Sequence, residues 1–203
     1  MIYESLHILT KKLDFYLRSA SDNLEETQDI ATLGNIAFAE LSSDQNHQNL
    51  VDQVVVSLIS VEEDPSLKNQ RHFVKKNDHF QKQNPKVFAN LNILISAYYP
   101  DEYNNSLKML NRVVQFFQGE NILRYKDSPL PELAQVNNIE TLEVNLEMIS
   151  LSFEQLNHLW GNLGGKIVPS VLYKARVVAI EREAPLSTGP AITHIKINND
   201  KWN

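Results

Sequence analysis

Three groups of residues in this 203-residue chain have the types that chemistry uses. The first is Gly161-Asn162-Leu163-Gly164-Gly165-Lys166, in which glycines and a lysine stand close together as they do in loops that cradle phosphate. A phosphate loop puts four residues between its outer glycines, follows its lysine with Ser or Thr, and leads into a helix. Here three residues separate Gly161 from Gly165, Ile167 follows the lysine, and the glycines leave a helical pattern instead of opening one. The stretch reads as a helix end. The second group is Glu62-Glu63-Asp64. Neighbouring carboxylates can share a proton or hold a cation, but three in a row before Pro65 read as a solvated turn at a strand end. The third group is the histidines. His72 and His79 match no zinc spacing, and His7, His47, His158 and His194 are scattered. The sequence holds no HExxH, GxSxG or GxGxxG, and no cysteine, which removes disulfides, thiolate nucleophiles and Cys-based zinc sites. The expectation is a chain that is not an enzyme, with no catalytic, metal or cofactor-binding set and no cofactor.

The elements that flank the glycines are the best-defined part of the sequence. From Ile139 to Ile149, Leu142, Val144, Leu146 and Met148 alternate with Thr141, Glu143, Asn145 and Glu147, the period of a half-buried strand. Ser152 then stands as a helix N-cap, with Gln155 three residues on as its capping-box partner. Leu151 and Leu156 occupy the positions of a hydrophobic staple. Leu156, Leu159, Trp160 and Leu163 form the apolar stripe, and Gly164 and Gly165 end the helix. Beyond Pro169, SVLYKARVVAIE reads as the next strand.

Upstream, Ile2, Leu6, Leu9, Leu13 and Leu17 predict an amphipathic helix over residues 1 to about 19, with Lys11, Lys12 and Arg18 on its polar face. Asn35–Leu41 has the composition of a short strand. Val51–Val61, β-branched and apolar on both faces, predicts a central strand covered on both sides. Residues 66–85 carry Lys68, Arg71, Lys75, Lys76 and Lys82 against Asp78 alone, a basic loop or long hairpin suited to an acidic neighbour. Val87–Tyr99 predicts a strand whose second face, Phe88, Asn90, Asn92, Leu94 and Ser96, is only narrowly polar. Asp101 is placed to cap the helix that follows, striped by Tyr103, Leu107, Leu110, Val114 and Phe117, widened by Met109, Val113 and Phe116, and ending near Gly119. Residues 120–138, with Pro129 and Pro131, read as a surface connection. Pro185, Gly189 and Pro190 read as a linker to a last strand, Ala191–Ile197, whose Ile192, His194, Ile195 and Ile197 suit pairing with another chain's sheet edge or the domain's own. The whole predicts an α+β fold: a mixed, mostly antiparallel sheet flanked by helices over residues 1–183, and an extended C-terminal arm or edge strand over 184–203.

The formal net charge of −6 argues against nucleic acid as a partner. No apolar run has the length of a membrane span, and the N-terminus lacks the pattern of a signal peptide. The expectation is a cytoplasmic protein without direct membrane insertion, unless a larger assembly carries it out.

Several segments together resemble a known family. They are HILTKKLDFYL, VVVSLISVEED, LNILISAYYPDEYNNSLKMLNRVVQFFQ and, most specifically, SLSFEQLNHLWGNLGGKIVPSVLYKARVV within Leu146–Val178. The chain is similar to the cap, or tail-terminator, proteins of phage-tail-like contractile injection systems. The resemblance implies a sixfold homo-oligomeric ring on the end of tube and sheath away from the baseplate, which ends polymerisation and holds the sheath extended. It implies a tail-terminator-like fold, contact with the terminal inner-tube and sheath rings, and a paralogous cap protein as a further partner. It further implies assembly in the cytoplasm into a particle that is released or membrane-anchored. On this reading Glu143, Asn145 and Glu147 are candidates for the ring interface or lumen. Lys68, Arg71, Lys75, Lys76 and Lys82 are candidates for tube or sheath contact. The alternatives are an adaptor that binds a membrane or a protein through its first helix, and an enzyme with an unrecognised site.

Overall fold

The computed structural model describes residues 1–20, 29–43, 49–64, 73–76, 79–82, 86–180 and 187–190. Its elements in chain order are α1 (Ile2–Ser19), β1 (Ala31–Leu33), β2 (Gln53–Glu63), β3 (Phe73–Lys76), β4 (His79–Lys82), β5 (Val87–Tyr98), α2 (Tyr103–Gly119), β6 (Ile122–Arg124), β7 (Glu143–Ile149), α3 (Phe153–Asn162), β8 (Ser170–Ile180) and β9 (Ser187–Pro190). Six strands form one sheet in the order β1-β2-β5-β8-β7-β6; β1 and β2 are parallel and every other pair is antiparallel. The sheet is mixed and mostly antiparallel, as the alternation in the sequence predicts.

α1 and α2 lie on one face. Leu6, Leu9, Leu13 and Leu17 of α1 join Met109, Val113, Phe116 and Phe117 of α2 over Val54, Val56, Leu91, Ile93, Ile95, Tyr173 and Ala175. The rings of Phe117 and Tyr173 sit 4.6 Å apart. Two contacts fix α1. The Asp14 carboxylate accepts the backbone N–H groups of Ile30 and Ala31 at 2.7 and 2.9 Å, docking the start of β1. Lys12 Nζ meets Glu120 Oε1 at 2.6 Å, tying the helix to the end of α2.

A smaller core covers one end of the opposite face. Ile36, Ala39, Leu50, Val55 and Leu94 pack with Trp160, and α3 adds Leu156, Leu159 and Leu163. α3 is placed by the features its sequence announces. Ser152 Oγ accepts from Gln155 N–H at 3.2 Å, and Gln155 Oε1 accepts from Ser152 N–H at 2.9 Å, a complete capping box. At the other end Gly164 and Gly165 take φ values of +113° and +83°, and Gly165 N–H donates to Trp160 O at 2.7 Å. The phosphate-loop-like stretch is therefore a helix C-terminus.

A second sheet has three strands in the order β3-β4-β9. β2 leads into β3, β4 leads into β5, and β8 leads into β9. The neighbours β2, β5 and β8 all leave the main sheet at one end, where Glu63 pairs with Ala89 and Val87 with Ile180. The small sheet repeats their order, so its strands extend the chain path of the central three.

The structure corrects several expectations. Asn35–Leu41 is not a strand: Ile36–Ser43 is a 3₁₀ helix, started by an Asx turn in which Asn35 Oδ1 accepts from Ala37 N–H at 3.1 Å. Glu62 and Glu63 do not form a turn but continue β2, which is covered on both sides only in its first half; Leu58 and Val61 are half exposed. The cap residue of α2 is Glu102, not Asp101, and no side chain caps it. Its buried stripe runs through Ser106, Met109, Val113, Phe116 and Phe117, so the phase is shifted and Tyr103 and Leu107 face out. Residues 120–138 are more than a connection, since they supply β6 and bury Leu123, Tyr125 and Leu133. Ile139–Thr141 is a 3₁₀ turn, and β7 begins at Glu143. Met148, expected on the buried face, is half exposed because β7 outlasts its cover. Ser187–Pro190, expected within a linker, is β9 and pairs with β4.

Candidate functional site

The part of the second sheet face that α3 and the 3₁₀ helix do not reach is open, and its register decides which residues meet there. Asn92 pairs with Ser60 on β2 and with Lys174 on β8. Glu147 pairs with Lys174, Asn145 with Arg176, and Glu143 with Arg124. One face of five strands thus carries Ser60 and Glu62, Asn92, Lys174 and Arg176, then Glu147, Asn145 and Glu143, and last Arg124. Glu143, Asn145 and Glu147 are exposed together on β7, as the alternation predicts. Their partners were not read from the sequence. Lys174 and Arg176 alternate with the buried Tyr173 and Ala175, and that period was the signal available.

The face is a ladder of ion pairs. Arg124 Nε lies 2.9 Å from Glu143 Oε2, Arg176 Nε 2.7 Å from Glu147 Oε2, and Lys174 Nζ 2.9 Å from Glu62 Oε2. Glu62 also accepts from Asn92 Nδ2 at 2.7 Å. The Lys174 ammonium first, and the Asn92 amide second, hold the Glu62 carboxyl below the usual carboxylate range. The Glu143 carboxylate raises the Arg124 guanidinium further above its ordinary value. Glu62, matched to a cation in this way, stays ionised. It is a poor proton donor at neutral pH, unlike paired carboxyls whose environments drive their pKa values apart. The chemistry open to the face is recognition across a wet, electrically balanced surface.

Elsewhere, burial pushes the Tyr99 and Tyr173 phenols up to about 12, which keeps both neutral packing groups. Among the described residues no group of three or more His, Asp and Glu is placed to hold a metal ion, and no helix is long and apolar enough to cross a membrane. His158 is exposed on α3. Of the basic segment, Lys75 and Lys76 lie on β3 and Lys82 on β4, paired through Lys75↔Phe80, Lys76↔His79 and Phe73↔Lys82. The expected hairpin is therefore present. Lys68 and Arg71 lie outside the described residues, as do Ile192, His194, Ile195 and Ile197. The structure brings Glu143, Asn145 and Glu147 onto the main sheet and puts Lys75, Lys76 and Lys82 on the small one.

The sequence pattern of the Pvc16 N-terminal domain matches residues 7–194. The chain belongs to the Pvc16 N-terminal domain family. Solved structures share the fold. A sheath/tube terminator of the extracellular contractile injection system PVC, in the extended state, superposes with a TM-score of 0.56 at 14% identity, over 97% of this chain and 63% of that one. The tube-terminating cap of the anti-feeding prophage superposes with a TM-score of 0.51 at 14% identity, over 71% of this chain and 48% of that one. The Pvc16 N-terminal domain chain thus spans less than two thirds of either relative. No curated protein matches it.

Proposed function

We propose that this chain is a structural terminator of a contractile injection system: it closes the end of the tube and sheath away from the baseplate, ends polymerisation and holds the sheath extended. The observation that carries this reading is a fold shared over 97% of the chain with a PVC sheath/tube terminator. The family resemblance implies a sixfold ring of identical copies, and a repeated heterologous contact closes into such a ring when its rotation divides a full turn. The subunit acts by contact and not by catalysis, in keeping with an open face whose carboxylates are matched to cations. Glu143, Asn145 and Glu147 face the ring interface or its lumen. The basic segment from Lys68 through Arg71, Lys75 and Lys76 to Lys82 touches an acidic tube or sheath surface. Beyond β9, the end of the 184–203 arm adds a strand to a neighbour through Ile192, His194, Ile195 and Ile197. A paralogous cap protein is a further partner of the ring. The subunits assemble in the cytoplasm and leave it, if at all, as part of the particle.

Electron microscopy of particles from a strain lacking this gene tests the reading. Tubes of uncontrolled length, or sheaths that fail to stay extended, are expected. Normal capped particles of uniform length would overturn it and turn attention to a ligand.

A further inference from the structure

Two features at opposite ends of α3 fit each other but cannot meet within one chain. The first is a knob. Phe153, the first residue of the helix, is 93% exposed, and the capping box around Ser152 fixes the backbone that carries it. An aromatic ring held this far from its own core is a cost without a partner and a preorganised anchor with one. The second is a slot of about 310 Å³ where the 3₁₀ helix Ile36–Ser43, the start of α2 and the α3–β8 connection converge. Buried Trp160 and Tyr99 line its floor, Ile36 and Ala37 a wall, and Tyr103 and Ile167, exposed by 63% and 67%, its rim.

We propose that the slot receives Phe153 of a second copy of this chain. Knob and slot stand roughly 15 Å apart along a ten-residue helix at 1.5 Å per residue, so a copy cannot fill its own slot. Each copy offers its knob to one neighbour and its slot to another, a heterologous contact that propagates. Charge agrees with the fit. Glu154 follows the knob and is exposed, and the exposed Lys166 stands at the slot. Asp101 and Glu102 lie on the α2 side beside Tyr103, so the fit requires Glu154 on the Lys166 side of the slot. An aromatic ring in a slot floored by Trp160 and Tyr99, with a charged pair at its edge, has the make-up of an interface hot spot. The inference rests on the ring reading above and names one of the surfaces that would build it.

The test is the mass of the purified full chain across a concentration series, with two single variants and their mixture. Phe153→Asp removes the knob; because the site is exposed and an acidic residue suits the first turn of a helix, the fold is retained. Ala37→Trp fills the slot and keeps the knob. Each variant alone is expected to associate roughly thirtyfold more weakly or worse than wild type. Their equimolar mixture is expected to stop at dimers, since one intact knob meets one intact slot. Assembly of F153D or A37W like wild type would overturn the inference and leave the terminator reading standing, because a ring can close through other surfaces. A wild-type chain that stays monomeric throughout would also overturn it. Particles that are capped normally without the gene would instead sink the terminator reading.

Discussion

Lys174 Nζ and Glu62 Oε2 meet at 2.9 Å although their strands, β8 and β2, are not neighbours. β5 runs between them and contributes Asn92, whose Nδ2 donates to Glu62 Oε1 at 2.7 Å and to Ser60 Oγ at 2.8 Å. One lysine thus clasps three strands across their open side. The pair is partly solvated, so its gain in stability is small, about 0–1 kcal/mol after screening. Its larger effect is to hold the face in a single arrangement.

The clasp has a pH signature. The folded-state pKa of Glu62 is depressed by Lys174 and Asn92, so its contribution is fully present above the unfolded carboxylate value of 4.5 and is lost as pH falls through the lower folded value. Lys174→Met should return the Glu62 carboxyl toward its ordinary titration and remove that part of the acid limb. Carbon-detected NMR titration of Glu62 in both proteins measures it. An unchanged Glu62 midpoint would show that the clasp does not persist in solution.

The capping box should matter more than its exposed position suggests, because α3 presents Trp160 to the second core. Ser152→Ala is expected to lower unfolding stability by about 1 kcal/mol in urea titration. Gln155→Ala should cost less, and the double variant less than the sum, since both residues serve one motif. Strict additivity would mean that the two hydrogen bonds act independently.

Two neighbouring glycines should respond in opposite directions. Gly161 lies inside α3, and a methyl group added to it would meet only open space, so Gly161→Ala should raise stability by roughly 0.5–1 kcal/mol. Gly165 sits at φ +83°, so Gly165→Ala should lower it by roughly 1–2 kcal/mol even though nothing blocks its side chain. Thermal unfolding of the pair decides the matter, and equal shifts would contradict the helix-end geometry.

The small sheet supplies a functional prediction. Reversing charge at Lys75 and Lys76 should reduce the fraction of capped particles counted by electron microscopy, in proportion to the role of β3 in meeting an acidic surface. Truncation after Glu183 removes β9, the strand paired with β4, and should loosen attachment to the sheath. Full capping by both variants would remove this sheet from the contact.

What the sequence made legible was whatever has a period or a cap. α1, the capped α3 and the alternation of Val144 and Leu146 with Glu143, Asn145 and Glu147 all follow from local rules, and the family resemblance lies on the same segments. The open face was only half legible. Alternation places Glu143 and Glu147 on a surface, but Arg124 and Arg176 reach them through register, which depends on chain folding far from either residue. The phase error in α2 has a similar origin. Tyr103 and Leu107 extend the apolar pattern, yet the sheet beneath covers only the stripe through Met109, Val113 and Phe116, and tertiary cover overrides pattern. Residues 120–138 escaped because Leu123 and Tyr125 repeat the strand period only once and Leu133 follows across turns, too short a run to show a pattern.

Strand order in the small sheet also sets a clock on synthesis. β3 and β4 leave the ribosome about a hundred residues ahead of β9, a gap of roughly 5–20 seconds at ordinary translation rates. During that interval the growing polypeptide carries a two-stranded ribbon with a raw β4 edge, which is marginal on its own. Arrival of Ser187–Pro190 pairs that edge, so the small sheet gains its third strand only after the whole main sheet has been made.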